Sequence, residues 1–531
     1  MRNRFFITQA FCLASLTIAL LLGAHPASAQ PAAFHNPVIA GDYPDPSVIR
    51  VGADYWATAT TSEWAPEFPL LHSRDMVNWE QVGAVFAKRP AWSTGNYWAP
   101  EISAYRGRYF VFYVGHKKGG SLCVAMASAN RPSGPYTDHG PLVCQDAGSI
   151  DAMAVTDEGG ARYLIWKEDG NSRNQPTPIW AQRLSDDGAK LTGERKEILR
   201  NDAAWEAQLV EGPFVLRRDG WFYLFYSGNA CCGRECNYAL GVARSRKLLG
   251  PYEKNPANPI LKGNEAWKCP GHGSIVETAK GRDFLLYHAY NASDFVYVGR
   301  QALLDEVRWE SDGWPTINGG RGPSGQALSP KGARVGTSPR QFFDDFRTTN
   351  LQAGWQWPQD NEPVKRLDAG GGGWLALSPQ GGQENNLLSA VLARSTVTGN
   401  YVAVTEVDAR ALKPGAQAGL AAYGDGENAL GVSVTNGKVT VWRREKNSQQ
   451  EIASTTLASS AKIVWLRLTA REGHLFRFAV SIDGRSWREV GQEVDGSYLP
   501  PWDRGVRVAL VAGGTANAVA RFGSLRITPS R

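Results

Sequence analysis

The chain has 531 residues, 43% hydrophobic and 20% charged, which is too long for one ordinary core and suits a globular protein of two or more domains. A formal charge of +6 is small for this length, and without any Lys/Arg run the composition argues against nucleic-acid binding. Nineteen Trp, 18 Tyr and 19 Phe, with 57 Gly and 30 Pro, point to β structure with many turns and to surfaces on which sugars stack.

Residues 1–29 read as a secretory signal peptide. Arg2 and Arg4 give a basic start, "FCLASLTIALLLG" a short apolar core, and "ASAQ" a small-x-small site with cleavage after Ala29. The apolar run is short for a membrane span, and no later stretch suits one. The expected location is periplasmic or extracellular. Cys12 leaves with the signal, and Cys123, Cys144, Cys231, Cys232, Cys236 and Cys269 remain. An even number in an exported chain favours disulfides over a metal cluster, since "CCGREC" lacks C-x-x-C spacing. Cys231 and Cys232 are expected to bond to different partners.

The stretch "GDYPDPSVIR" opens the next region, with Asp42 and Asp45 three residues apart and Pro44 and Pro46 flanking the second. Proline fixes its own φ and restricts the residue before it, so Asp45 has little backbone freedom. Beyond it lies an internal repeat. "RYFVFYVGHK" leads to "LCVAMASANRPSGPYTDHGPLV", and "WFYLFYSGNA" leads to "YALGVARSRKLLGPYEKNPANPIL". "DYWATAT", "RYLIWKE" and "DFLLYHAY" share the first part. Aligning Tyr55, Tyr109, Tyr163, Phe222 and Asp283 gives spacings of 54, 54, 59 and 61 residues. Repeats of this length, each with several short strands, predict an all-β fold with a five-bladed β-propeller over 33–320. Residues 321–340 are rich in Gly, Pro and Ser and read as a linker. Alternating runs such as "GKVTVWRRE", "IVWLRLTAR" and "VRVALVAGG" predict a β-sandwich over 341–531.

Three acids enter short apolar strands at equivalent places: Asp45 in "YPDPSV", Asp151 in "GSIDAMAV" and Glu211 in "LVEGPFVL". An acid there is poorly tolerated unless it is paired or faces a cavity. Each alone reads as a turn residue, a strand-entry cap or an arginine partner. Together, on three blades around one funnel, they meet the needs of glycoside hydrolysis. One carboxyl protonates the leaving oxygen, one activates water or attacks, and a third sets the acid's proton affinity.

"NPVIAGDYPDPSVI", "SRDMVNWEQVG", "YWAPEI", "GSIDA", "VEGPF", "PGHGS" and "DGWP" together resemble glycoside hydrolase family 43 over about residues 36–317. The resemblance implies a five-bladed propeller and an inverting mechanism. It makes Asp45 the general base, Glu211 the general acid, and Asp151 the residue that raises the acid's pKa and orients it. It makes Asp42 a brace for the loop, Arg300 a support for the catalytic carboxylates, and Trp98 a surface for sugar. Trp64 and Glu101 are weaker candidates of the same kinds. No cofactor is needed for chemistry, although His272 in "PGHGS" matches a histidine that in many members helps bind a calcium ion through water. The C-terminal part, with "FFDDF", "LQAGW" and "FAVSIDGRSWREVG", is similar to the concanavalin A-like sandwich that follows some family propellers. The partner implied is an arabinose- or xylose-containing oligo- or polysaccharide. Exo removal of α-L-arabinofuranosyl groups stands first, then β-D-xylosidase, then endo-arabinanase. A non-catalytic carbohydrate-binding propeller would not need all three acids.

Overall fold

The structure is a computed structural model that describes residues 32–330, 341–368, 370, 372–381, 386–457, 461–515 and 517–530. The expected signal at 1–29 and residues 331–340 of the expected linker lie outside the described residues. Secondary structure is almost entirely strand; the α-helix among the described residues, Phe295–Val298, has four residues.

Five four-stranded antiparallel sheets follow one another in chain order. Their innermost strands are Ser47–Val51, Trp98–Tyr105, Ser149–Thr156, Val210–Arg218 and Trp267–Glu277, and the sheets are numbered I to V accordingly. The repeated aromatic run is the second strand of every sheet: Asp54–Thr58, Arg108–His116, Arg162–Glu168, Trp221–Gly228 and Asp283–Asn291. These strands are apolar on both faces because both faces pack against a neighbouring sheet. Phe110 and Phe112 turn towards Leu164 and Trp166 of sheet III, while Val111 and Tyr113 turn towards Phe68 and Leu70 of sheet I. The same division recurs around the set. Tyr223 and Phe225 meet Leu285 and Tyr287, and Phe284 and Leu286 meet Val48 and Leu71, which joins sheet V to sheet I. The ring of sheets is therefore closed.

The innermost strands also touch in a ring, I to II to III to IV to V and back to I. Side chains stitch it. Ser47 Oγ accepts from Ile102 N at 2.9 Å, and Ser274 Oγ accepts from Val48 N at 2.8 Å. The N-terminal strand Ala33–His35 pairs with Gln326–Leu328, so part of the expected linker is an ordered strand of this first unit.

The C-terminal unit is a two-sheet β-sandwich. One sheet centres on Tyr401–Asp408, Ile463–Arg471 and Ala520–Pro529, the other on Arg507–Gly513, Gln417–Tyr423 and Ala429–Thr435. Strand periodicity sets which residues enter the core: Val464, Leu466, Leu468 and Ala470 point in, and their neighbours point out. Trp64–Ala65 of the first unit pairs with Trp357–Pro358 of the second, and Trp64 is buried with the Arg507 guanidinium 4.5 Å from its ring. Trp64 thus belongs to the contact between the two units, not to a sugar surface.

The disulfides are Cys123–Cys144, Cys236–Cys269 and Cys231–Cys232. The expectation for the adjacent pair is corrected: Cys231 and Cys232 bond to each other. With the other four cysteines matched, no different partner remains.

Candidate active site

Each innermost strand starts with a kink. Near each start lies a residue of positive φ: Asp45 (52°), Ala99 (41°), Asp151 (57°), Gly212 (58°) and His272 (39°), with Cys269 (54°) a second on the fifth strand. In sheets II to V the strand pairing slips at that residue, which marks a bulge. A bulge re-aims a side chain, and left-handed backbone suits Gly and Asp far better than His or Ala. The five positions are therefore equivalent points on the ring, and three of them carry Asp45, Asp151 and His272. A side chain at Gly212 would begin 2.9 Å from the His272 ring, so the close approach there requires glycine. Glu211 sits one residue earlier on the fourth strand.

His272 lies between two of the acids. Its Nδ1 is 3.5 Å from Asp45 Oδ1 and 4.0 Å from Asp151 Oδ2. Asp45 is buried and held on every side. Thr60 Oγ1 donates to Oδ2 at 2.7 Å, and Arg300 Nη1 donates to Oδ1 at 2.9 Å. The Asp45 backbone N–H donates to His288 Nδ1 at 3.0 Å. Burial, helped by the Arg300 charge, pushes the His288 imidazole down to about 4, so the ring is neutral and accepts that bond. Burial also works to raise the Asp45 carboxyl. The Arg300 guanidinium, with His272 beside it, outweighs burial and keeps Asp45 well below the usual carboxylate range. A carboxylate so held is ionised and fixed in place.

Asp151 and Glu211 form the other side. Asp151 Oδ2 accepts from Gly212 N at 2.9 Å, which ties the third strand to the fourth. Burial pushes Asp151 up to about 6, with Glu211 adding to the rise and His272 opposing it. Glu211 accepts from Lys167 Nζ at 2.8 Å and from Tyr238 Oη at 2.9 Å. Burial would raise Glu211, but the Lys167 ammonium outweighs it and holds this carboxyl below its ordinary value. Of the two acids, Asp151 therefore binds a proton the more tightly while the site is open. Lys167 is itself buried and bridges Glu211 to Asp169, 2.9 Å away.

The remaining expected residues fall as follows. Arg300 touches Asp45 and neither of the other two acids. Asp42 is buried, and it ties its loop to sheet V and to the sandwich. Its carboxylate accepts from Arg300 N at 3.2 Å, Gly505 N at 3.0 Å and Arg507 Nη1 at 3.3 Å. Trp98 begins the second innermost strand, with its ring 5.8 Å from Trp502 of the sandwich. Glu101 is pushed up to about 8 by burial against the opposing pull of Ser47, a neutral side chain supporting the ring. Among the described residues there is no group of three or more His, Cys, Asp and Glu to hold a metal, so a calcium ion at His272 would take most of its roughly six to eight ligands from water, the arrangement that the resemblance implies.

Lys167, Tyr238, His288 and Thr60 escaped the sequence reading, as did the sandwich segment 502–507. Lys167 and His288 had a signal: each is a polar residue in an otherwise apolar strand, in "RYLIWKE" and "DFLLYHAY". The sandwich segment had none, because its role arises only when the two units dock. Arg300 Nη2 donates to the Asp503 carbonyl at 3.2 Å, so the sandwich holds the guanidinium that holds Asp45. Arg507→Met removes the cation beside buried Asp42. The expected loss is on the order of 3 kcal/mol of stability, with a smaller fall in kcat. Thermal unfolding and kcat measured on one preparation check this; if neither changes, the sandwich contact does not support the site.

The model of Glycosyl hydrolases family 43 matches residues 34–315, and that of the beta xylosidase C-terminal concanavalin A-like domain matches 343–527. The chain is 28% identical over 499 residues to a xylosidase/arabinosidase of Humicola insolens, covering 87% of this chain and 90% of that one. It is 27% identical to a xylan 1,3-beta-xylosidase of a Vibrio species, covering 87% and 91%. The structure superposes on a family 43 protein of Bacillus licheniformis with a TM-score of 0.82 at 26% identity, covering 94% of this chain and all of the other.

Proposed function

The chain belongs to glycosyl hydrolases family 43 and is a glycosidase, and from that premise we propose that it is an inverting, exo-acting enzyme releasing single pentose units. The closed ring of five sheets is read as a five-bladed propeller. β-D-xylosyl groups stand first as substrate and α-L-arabinofuranosyl groups second, which reverses the order expected from the sequence. Of the two relatives named above, both of which span the two units, the name of the Vibrio enzyme supports the reversal and that of the Humicola enzyme covers both sugars. The observation that carries the reading is the meeting of Asp45, Asp151 and Glu211, from three separate sheets, around the His272–Gly212 contact. Exo action is supported by the sandwich segment at Trp502 and Asp503, which reaches Trp98 and Arg300. Three disulfides support work in an oxidising compartment, in keeping with the expected leader.

The geometry supports the following step. Asp45, ionised and fixed, takes a proton from water as the water oxygen attacks the anomeric carbon. The bond from that carbon to the leaving oxygen breaks, and Glu211 gives its proton to that oxygen. A sugar covering the site excludes water, which raises both carboxyls and favours the protonated form of Glu211 that the step needs. The anomeric carbon ends with inverted configuration.

Assay of the purified protein against aryl β-D-xyloside, aryl α-L-arabinofuranoside, arabinan and arabinoxylan, with released sugars identified by NMR, tests this. Monomeric pentose of inverted configuration is expected; release of oligosaccharides would remove the exo reading. The pH profile has a set sign. The acid pair must carry its proton, so kcat/KM falls as pH rises through about 6. Lys167→Met removes the charge that lowers both acids, and should move that limb upward by about one pH unit. An unmoved limb would mean that Lys167 only packs there.

A further inference from the structure

The side wall next to Glu211 is the loop that follows the second strand of sheet IV. Glu211 pairs with Ser227, and the chain leaves that strand at Gly228 to return as Ala239–Ser245. The loop is tied down twice, by Cys236–Cys269 to sheet V and by Arg234, whose Nη2 donates to the Ser497 carbonyl of the sandwich at 2.6 Å. Behind the loop, between sheets IV and V, lies a cavity of about 610 Å³. That volume is within the range of small-molecule sites, roughly 300–1,000 Å³. Tyr238 belongs to both places: it lines the cavity, and its hydroxyl donates to Glu211. The cavity is thus one side chain away from the acid that protonates the leaving group.

Its chemistry is one-sided. Arg234, Lys262 and Lys268 line it, and no Asp or Glu does. Among the described residues none of these three cations has an ion-pair partner. Trp205, half-buried, supplies flat apolar surface. Trp267 is buried, and its indole N–H has no acceptor. A ligand that suits this lining has a ring to lie on indole, oxygens to accept hydrogen bonds and a negative charge. Neutral pentoses supply only the first two.

We propose that this cavity is an accessory subsite for a carboxylate-bearing sugar, a uronate carried as a branch on the leaving-group side of the pentose chain. The inference rests on the proposed function for the direction in which the substrate lies. Arg234 fixes the wall, while Lys262 and Lys268, the latter with its ammonium 4.6 Å from the centre of the Phe295 ring, have no ion-pair partner among the described residues and would meet the carboxylate. Neutral substrates then use the catalytic residues alone, and acid-branched ones gain a second anchor.

The test compares a xylo-oligosaccharide carrying one glucuronate branch with its unbranched counterpart and with free glucuronate, by calorimetry on the Glu211→Gln protein. Wild-type and Lys262→Gln/Lys268→Gln proteins are then compared for kcat/KM on both oligosaccharides. The branched compound is expected to bind about tenfold more tightly than the unbranched one, and to lose that advantage in the double variant or at high salt. The double variant should keep wild-type kcat/KM on the unbranched compound. Equal binding of branched and unbranched compounds overturns the subsite. So does binding of free glucuronate with no preference for the branched oligosaccharide. Calorimetry needs no turnover, so lysine-dependent binding in a protein that releases no pentose would strike the proposed function and leave the subsite standing.

Discussion

Replacing Glu211 by Gln is expected to cut kcat by about 10²–10⁴-fold on oligosaccharides, whose leaving oxygen needs a proton. The fold should survive. The amide oxygen of the variant can still accept from Lys167, and its NH2 group can donate to the Tyr238 hydroxyl, so both neighbours of the carboxylate keep a partner. The loss should depend on the leaving group. A dinitrophenolate departs without protonation, so a dinitrophenyl pentoside should lose far less than the oligosaccharide. That contrast separates a proton donor from a residue that only shapes the pocket. It also decides between the two acids, since burial places the resting proton on Asp151 at about 6 while Lys167 keeps Glu211 low. If Glu211→Gln loses equally on both substrates, and Asp151→Asn shows the leaving-group dependence instead, Asp151 is the acid. Far-ultraviolet circular dichroism and the melting temperature of the variant confirm that folding is not the cause.

The legible part of the molecule was what local patterning controls. The aromatic runs repeat because each forms a central strand buried on both faces, and the alignment of Tyr55, Tyr109, Tyr163, Phe222 and Asp283 falls on the second strand of each sheet. Asp45, Asp151 and Glu211 stood out because a carboxylate at the mouth of an apolar strand has a cost that packing cannot explain. What Asp45 and Asp151 share with His272 was hidden. Positive φ near the start of each innermost strand is a backbone property, and Ala99 and Gly212 fill the same position with no chemistry to announce it. The contacts of Asp42 were hidden for another reason: its partners Gly505 and Arg507 lie in the other unit, more than 460 residues away. Composition could not pair the cysteines, and adjacency misled. Substrate choice was the least legible, since catalytic carboxylates act at the anomeric centre that xylosyl and arabinofuranosyl groups have in common.

Asp45→Asn should produce a loss as large as that at Glu211, about 10²–10⁴-fold in kcat, but of a different kind. An amide cannot take the proton from the attacking water, so the loss should be the same for good and poor leaving groups. The substitution suits the backbone, because Asn tolerates the left-handed φ of 52° as Asp does. It does remove the partner of a buried guanidinium, Arg300, at an expected cost on the order of 3 kcal/mol of stability. Single-turnover hydrolysis on protein shown to be folded is therefore the right measurement. Azide gives an independent readout. It attacks the anomeric carbon without deprotonation, so it should restore cleavage to the variant and yield a pentosyl azide of inverted configuration, with the proton from Glu211 leaving on the aglycone. Asp42→Asn is the control from the same turn: its partners are Arg300 N, Gly505 N and Arg507, none of them a reacting group, so it should lower stability more than kcat and gain nothing from azide. Full activity in Asp45→Asn, or azide rescue at Asp42 and not at Asp45, would move the base away from the Pro44–Pro46 turn.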